Sequence, residues 1–321
     1  MRVFVCEFVT AGGLRDKPLP EDLLPEGTLM RDAILADVTA LPGLHPVLVQ
    51  DDRLPPALLP ADLVAEGDDP WAAWARACAE SHVVWPIAPE TDGLLARMVE
   101  MAGASGARVI GCTLEAIATA SSKLKTAIRL EAHGLPAIPT FPATAAPRRL
   151  TGRRLTKPDQ GAGAVETRVW DAGAATPTDA GLVVQPFMEG TPASLTVLCR
   201  PDGTRLLAAN LQHVSVAEGR LSLKGLTVGG ISDTDGRLAA LAEAVVAAFP
   251  GLSGIVGIDI LLTEAGPVVV EVNPRVTTAY AGLHAALGVN PAAFLPELIR
   301  DGVPPSLPHL PKAEPVEVLV R

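Results

Sequence analysis

Apolar positions along the first third of the chain recur with two different periods. Residues 2–8 form a short apolar run of strand type. Residues 28–40 repeat with a helical period, with Leu29, Ala33, Ile34 and Val38 on one face. The alternation continues with a strand over 45–50, a helix over 69–80, a strand over 82–87, a helix over 91–101 and a strand over 108–111. Short strands separated by helical segments predict βαβ units and a parallel α/β sheet. Loops 7–25 and 86–92 would lie at its carboxyl edge, where an open sheet of this kind binds ligands.

Residues 113–133 carry one long helical pattern containing Ser121-Ser122-Lys123-Leu124-Lys125, which stops at Gly134 before Pro136 and Pro139. The character then changes. Arg148, Arg149, Arg153, Arg154 and Lys157 cluster, and Lys157 ends a strand just before the loop Gly161-Ala162-Gly163-Ala164. Val183-Val184-Gln185 reads as a strand leaving into Pro186-Phe187-Met188-Glu189-Gly190. Strands at 194–200 and 205–211, a helix at 234–248 and a hairpin follow. The proline-rich segment 301–321 ends in a short strand, 316–320. Three units are expected, 1–112, 113–185 and 186–321.

The hairpin carries the sharpest chemistry. Ile255-Val-Gly-Ile-Asp259 and Val268-Val-Val-Glu271-Val-Asn273-Pro-Arg275 flank a turn over 263–267. With the turn centred near Ala265, Asp259 and Glu271 oppose each other, and like charges opposed across a hairpin repel. Asn273 shares the face of Glu271, because side chains alternate along a strand. No lysine in either strand compensates. Three hard oxygen donors call for a cation, and Mg²⁺, usually held by one or two carboxylates plus phosphates, suits them. Arg275 adds a planar fork for phosphate or carboxylate. The other reading is a half-exposed hairpin with its acids in water. The two-glycine loop lets backbone N–H groups approach a phosphate, with Lys157 beside it, or is a plain turn. Lys123, taken alone, is solvated helix surface. His213 and His284, as lone histidines, read as structural. Neither a Walker loop nor a GxGxxG fingerprint after the first strand is present.

Composition narrows the partners. The 321 residues carry a net charge of −10, which argues against nucleic acid. Apolar runs such as 238–249 are short and broken by Glu243, so no membrane span is expected, and the apolar start is too short for a leader peptide. Cys6, Cys78, Cys112 and Cys199 are scattered with no CxxC pair, which predicts neither zinc nor disulfides and a reduced, cytoplasmic setting.

Taken in order, a helix lysine, a Gly-Pro break, a strand lysine, a glycine loop, an apolar exit strand and Asp…Glu-x-Asn-Pro-Arg resemble the ATP-grasp superfamily, from about Ser121 to Leu283. The resemblance implies an α/β (α+β) ATP-grasp fold with an N-terminal parallel α/β pre-ATP-grasp domain. It implies ATP and Mg²⁺, or Mn²⁺, as cofactors. Lys123 and Lys157 would hold the ATP phosphates under a flap containing Gly161 and Gly163. Gln185, Phe187 and Met188 would form the hinge that holds adenine. A ribose-binding Glu often follows the hinge glycine in the family; here Thr191-Pro-Ala-Ser194 follows instead, which leaves Glu189 as its substitute. Asp259, Glu271 and Asn273 would be the metal ligands, and Arg275 with Lys157 the catalytic pair.

The chain is more particularly similar to tyramine–glutamate ligases of methanofuran synthesis and their relatives in methylotrophic bacteria. The carrying segments are Glu7-Phe-Val-Thr10-Ala-Gly12-Gly13, Pro25-Glu26-Gly27-Thr-Leu-Met30, Ser122-Lys123-Leu-Lys125-Thr and Asn273-Pro-Arg275-Val-Thr277-Thr278-Ala-Tyr280-Ala-Gly282-Leu283. This similarity places Glu7, Thr10, Gly12, Gly13, Arg275, Thr277, Thr278 and Tyr280 at the substrate end, although 277–280 reads equally as a helix cap. It implies an ATP-dependent carboxylate–amine ligase working through an acyl phosphate, joining glutamate to an aromatic amine or amino acid. The alternatives are an ATP-grasp enzyme on another acid, carboxylase-like or another amino-acid ligase, and a nucleotide-binding regulator without turnover. The intact Asp/Glu/Asn trio and both lysines argue against the regulator. The expected partners are small-molecule acid and amine substrates, with no nucleic acid and no membrane, and a homodimer is allowed.

Overall fold

The computed structural model describes residues 1–147, 150–161, 166–299 and 313–320. Strand β1 (Arg2–Glu7) is buried from Val3 onward, as expected of a central parallel strand covered on both faces. Helix α1 (Leu24–Ala40) begins a turn earlier than its apolar pattern, and Pro25, with its φ pre-set for a helix, falls in its first turn. The strand expected at 45–50 is two strands. β2 (His45–Val47) pairs with β1, whereas β3 (Val49–Asp51) leaves to pair with β4 (Asp62–Val64). Helix α2 (Pro70–Ala79) is capped by Asp69, which accepts from the Trp71 amide at 2.9 Å. With β5 (Val83–Ile87), α3 (Leu94–Ala104) and β6 (Arg108–Val109), these elements make a parallel sheet of order β2-β1-β5-β6.

The single helix predicted over 113–133 is two helices, α4 (Leu114–Ala120) and α5 (Lys123–Ala132). Ser122 is extended between them, and its side chain accepts from the Lys125 amide at 3.1 Å. A serine that bonds the backbone competes with continued helix and caps the next one. Lys123 is therefore the first residue of α5 rather than a mid-helix position.

A ten-stranded sheet follows. Its small lobe holds β7 (Phe141–Pro142), β8 (Arg154–Pro158), β9 (Arg168–Trp170) and β10 (Leu182–Pro186). Its large lobe holds β11 (Thr191–Arg200), β12 (Gly203–Ala217), β13 (Arg220–Ile231), β14 (Gly254–Thr263) and β15 (Gly266–Asn273). The order β15-β14-β11-β12-β13-β9-β8-β10-β7 makes the lobes one surface, joined where Arg220 of β13 meets Arg168 of β9. The long β12–β13 hairpin exceeds the expected strands, because Gly225, Gly229 and Gly230 interrupt its apolar alternation. Helix α6 (Arg237–Ala248) packs on β11 and β12, and α5 packs on β15. Helix α7 (Tyr280–Leu287) lies against α1, and β16 (Val316–Leu319) pairs with β13. Among the described residues no helix is long and apolar enough to cross a membrane.

The β14–β15 turn is tighter than predicted, with only Glu264 and Ala265 between Thr263 and Gly266. Its register pairs Ile260 with Val269 and, if continued, would set Asp259 against Val270. A bulge beyond Ile260 shifts the ladder so that Asp259 pairs with Glu271. The opposition of the two acids is therefore present, produced by an inserted residue rather than by a turn centred on Ala265. Bulges of this kind re-aim side chains beside active sites.

Candidate functional site

A cleft of about 360 Å³ opens between the two lobes. Its charged floor is assembled from three separate elements. Lys157, on β8, lies 3.8 Å from Glu271 Oε2, and Lys123, at the start of α5, lies 3.4 Å from the same oxygen. Both lysine side chains are under a tenth exposed, at 8% and 9%. The counter-charge missing from the hairpin itself thus comes from elsewhere in the chain. Asp159 anchors the start of α5, accepting from the Leu124 amide at 2.8 Å, and the Lys123 ammonium donates to the Gly161 carbonyl at 3.2 Å.

Asp259 is tied on both oxygens. Oδ1 accepts from Gln212 Nε2 at 3.0 Å and Oδ2 from Asn273 Nδ2 at 3.4 Å. Burial, and then the carboxylate of Glu271, push the Asp259 carboxyl well above the usual range. Burial also works against ionised Glu271, but Lys123 and then Lys157 overcome it and hold its carboxyl low. Lys157 is pulled down to about 8 by burial, against the pull of Glu271. Two facing acids pushed apart in this way mark a place that a divalent cation would relieve. Among the described residues no three His, Cys, Asp or Glu side chains gather as a metal site. The donor set is two carboxylates and one amide, which fits Mg²⁺ completed by phosphate oxygens and suits no soft metal.

At the other end of the cleft, Gln185 is 1% exposed. Its Nε2 donates to Thr140 Oγ1 at 2.8 Å, while Oε1 has no partner among the described residues. A buried acceptor left unpaired costs free energy until a donor arrives, and an adenine amino group is such a donor. Ile138, Leu155, Phe187 and Met188 add apolar walls. The Phe187 amide is already bonded to the Arg153 carbonyl at 2.9 Å, and the Arg153 guanidinium sits 4.1 Å over the Phe187 ring. Glu189 is exposed and meets Arg153 at 3.5 Å at the rim.

Arg275 also faces this cleft, with its side chain 8% exposed. Its Nε lies 2.9 Å from Glu90 Oε1, its Nη2 donates to Glu90 Oε2 at 3.1 Å, and its Nη1 donates to the Val276 carbonyl at 3.1 Å. Thr277 lines the cleft, and Thr278 donates to Glu26. Glu90, Gln212 and Asp159 were not singled out by sequence, and Glu26 entered only within the segment 25–30, with no role given. The only available signal was that Glu90 lies in the 86–92 loop at the sheet's carboxyl edge.

Several expected substrate residues lie elsewhere. Tyr280 is a core residue, 5.8 Å from Trp85 edge-to-face, with its hydroxyl donating to Asp37 at 2.9 Å. Thr10, Gly12 and Gly13 shape the turn after β1. The Gly13 amide donates to the Phe8 carbonyl at 2.8 Å, and a Cβ on Gly13 would strike Phe8. Thr10 is spent on Glu7, donating from its amide at 2.8 Å and its hydroxyl at 2.7 Å. Glu7 borders a small separate cavity that Arg275 also reaches. His213 and His284 lie outside the cleft, bonded to Thr227 and Asp37. Gly163, with Arg148 and Arg149, lies outside the described residues.

Comparison with known proteins bears on the family and the fold. The ATP-grasp domain family matches residues 120–279, and the pre ATP-grasp 3 domain family matches residues 44–117. Tyramine–L-glutamate ligase of Methanocaldococcus jannaschii is 25% identical over 203 residues, 61% of this chain. The aligned part spans 56% of that relative's length. A structure from Archaeoglobus fulgidus assigned to the ATP-grasp superfamily superposes with a TM-score of 0.74 at 21% identity, covering 92% of this chain and 87% of that one. An L-amino acid ligase from Bacillus licheniformis superposes with a TM-score of 0.62 at 16% identity, covering 92% and 73%. At these identities the structures speak to the fold alone.

Proposed function

The chain belongs to the ATP-grasp superfamily, and from that premise we propose that it is an ATP-dependent carboxylate–amine ligase working through an acyl phosphate. The observation that carries this reading is Glu271, set between Lys123 and Lys157 and opposed to Asp259 on the floor of an apolar cleft.

Gln185 and the apolar walls would take the adenine, and the two lysines the phosphates. Asp259, Glu271 and Asn273 would hold Mg²⁺, which would supply Lewis-acid stabilisation of the phosphate charge. The substrate carboxylate attacks the γ-phosphorus, and the bond to ADP breaks. The amine then attacks the acyl carbon, phosphate leaves with the bonding electron pair, and the amine proton passes to solvent or to that phosphate. Arg275, held in plane, steadies the phosphoryl group or the acyl carboxylate. The lysines and Arg275 act by position and charge rather than by covalent chemistry. The dry walls limit hydrolysis of the acyl phosphate.

The similarity to tyramine–L-glutamate ligase supports glutamate as the acid and an aromatic amine as the nucleophile, and the assembly of a methanofuran-like carrier is the pathway this reading would serve. Four buried cysteines in no disulfide suit a reduced, cytoplasmic setting.

The test is an ADP-release screen of acids crossed pairwise with amines in Mg²⁺-ATP, with product masses recorded. The reading expects ADP and an amide only when L-glutamate and tyramine, or a close relative of either, are both present. ADP released with another pair would replace the substrates and keep the ligase. Tight nucleotide binding without ADP from any pair would favour the regulator.

A further inference from the structure

We propose that Glu90, on the N-terminal domain, is the positioning residue that aims Arg275 into the cleft; this rests on the cleft being a nucleotide site. Glu90 is 3% exposed and accepts one hydrogen bond from Nη2 at 3.1 Å, with its other oxygen ion-paired to Nε at 2.9 Å, while Nη1 donates to the Val276 carbonyl. A guanidinium has five N–H groups in a rigid plane. Two donate hydrogen bonds among the described residues and the Nε edge is held by the ion pair alone, which restrains the plane and leaves one N–H on each terminal nitrogen for a ligand in the cleft.

The turn that presents Glu90 is itself unusual. Glu90 opens a single 3-10 turn, Thr91–Gly93, in which Asp92 has φ +53° and Gly93 φ +68°. Successive left-handed residues persist only where their surroundings hold them, and they cluster at functional sites. The same turn abuts the glycine loop, since a Cβ on Gly161 would lie 3.8 Å from Thr91 Oγ1. One short turn of the N-terminal domain thus touches both the arginine of the large lobe and the base of the loop from the small lobe.

Glu90 also decides what Arg275 does not do. Glu26 and Glu271 are the other carboxylates that attract it. Without Glu90, the buried guanidinium would be left to the attraction of Glu26 and then Glu271. The chemistry that needs an aimed Arg275 is the third, γ-phosphoryl group, present in a nucleoside triphosphate and absent from a diphosphate.

Calorimetric titration of the full chain with Mg-ADP and with Mg-AMPPNP, a non-hydrolysable triphosphate, tests this without any acid or amine, so failure of the ligase reading leaves it standing. We expect Glu90→Gln to weaken Mg-AMPPNP about tenfold or more, as loss of a hydrogen bond to a charged group does, with Mg-ADP unchanged. Arg275→Ala should show the same pattern, and the double variant should add nothing to it. Glu90→Asp, which keeps the charge one methylene short, should fall between. If thermal melting shows Glu90→Gln to be unfolded, Glu90→Asp carries the comparison. Equal loss for both nucleotides, no loss, or independent addition of the two substitutions would overturn the proposal. Absence of nucleotide binding to the unmodified chain would overturn it as well.

Discussion

Gln212 Nε2 donates to Asp259 Oδ1 at 3.0 Å, reaching from β12 to β14 across the intervening strand β11. Ser194, the β11 residue paired with Asp259, is small enough to allow the reach. The bond orients a carboxylate that burial, and then Glu271, push up to about 8.

Partners behind a metal ligand commonly change metal affinity by about 10- to 100-fold. Gln212→Ala should therefore raise the Mg²⁺ concentration needed for nucleotide binding by about that range. A Mg²⁺ titration followed by calorimetry at constant nucleotide would show it. An unchanged midpoint would mean that Gln212 does not support the ligand set.

Asn273 and Glu271 should separate when each is replaced by alanine. Asn273→Ala removes a neutral donor, so turnover should vanish while the melting temperature stays near that of the parent. Glu271→Ala also strips the buried Lys123 and Lys157 of their counter-charge, and breaking a buried pair costs about 3–5 kcal/mol. Thermal melts of the two variants give the comparison. Near-parental activity in both would sink the metal assignment.

Gly257 of β14 lies beneath the segment that carries Arg275. A Cβ there would collide with the Thr277 side chain. Gly257→Ala should push that segment outward, at about 1–3 kcal/mol of overpacking. Turnover should fall further than stability does. A stability loss with full activity would mean that Thr277 is only packing.

The four cysteines are buried, and burial pushes the Cys78 thiol up to about 11 and Cys112 up to about 12, with Cys6 and Cys199 raised as well. Thiolates are the reactive form, so at pH 8 a thiol reagent should label the chain only as fast as it unfolds. The folded values lie above the unfolded value of about 8.5. Their stabilising contribution is therefore complete below about pH 8.5 and declines as the pH rises towards 11–12. Denaturant midpoints at pH 7 and pH 10 should move accordingly. Rapid labelling of native protein would show a thiol exposed by local opening.

The parallel sheet was legible because its strands are short apolar runs between helical repeats, and burial on both faces writes that pattern locally. The split of 113–133 was not read because Ser121 and Ser122 fit the helical period. Only the bond from Lys125 to Ser122 shows the cap. The N-terminal glycines looked functional by similarity. Gly13 in fact allows the chain to pass Phe8, which no local pattern displays.

By itself the sequence determined the order of two lysines, the Gln185 strand, Asp259, Glu271, Asn273 and Arg275, because residue type and strand alternation are local properties. It also implied the pairing of Asp259 with Glu271. Tertiary structure alone decided how that pairing arises, through a bulge rather than turn symmetry. It decided that Lys123 and Lys157 neutralise Glu271, that Gln212 holds Asp259, and that Glu90 holds Arg275 from 185 residues away. Contacts at such separations depend on how packed layers bring distant segments together, and period and spacing do not encode them.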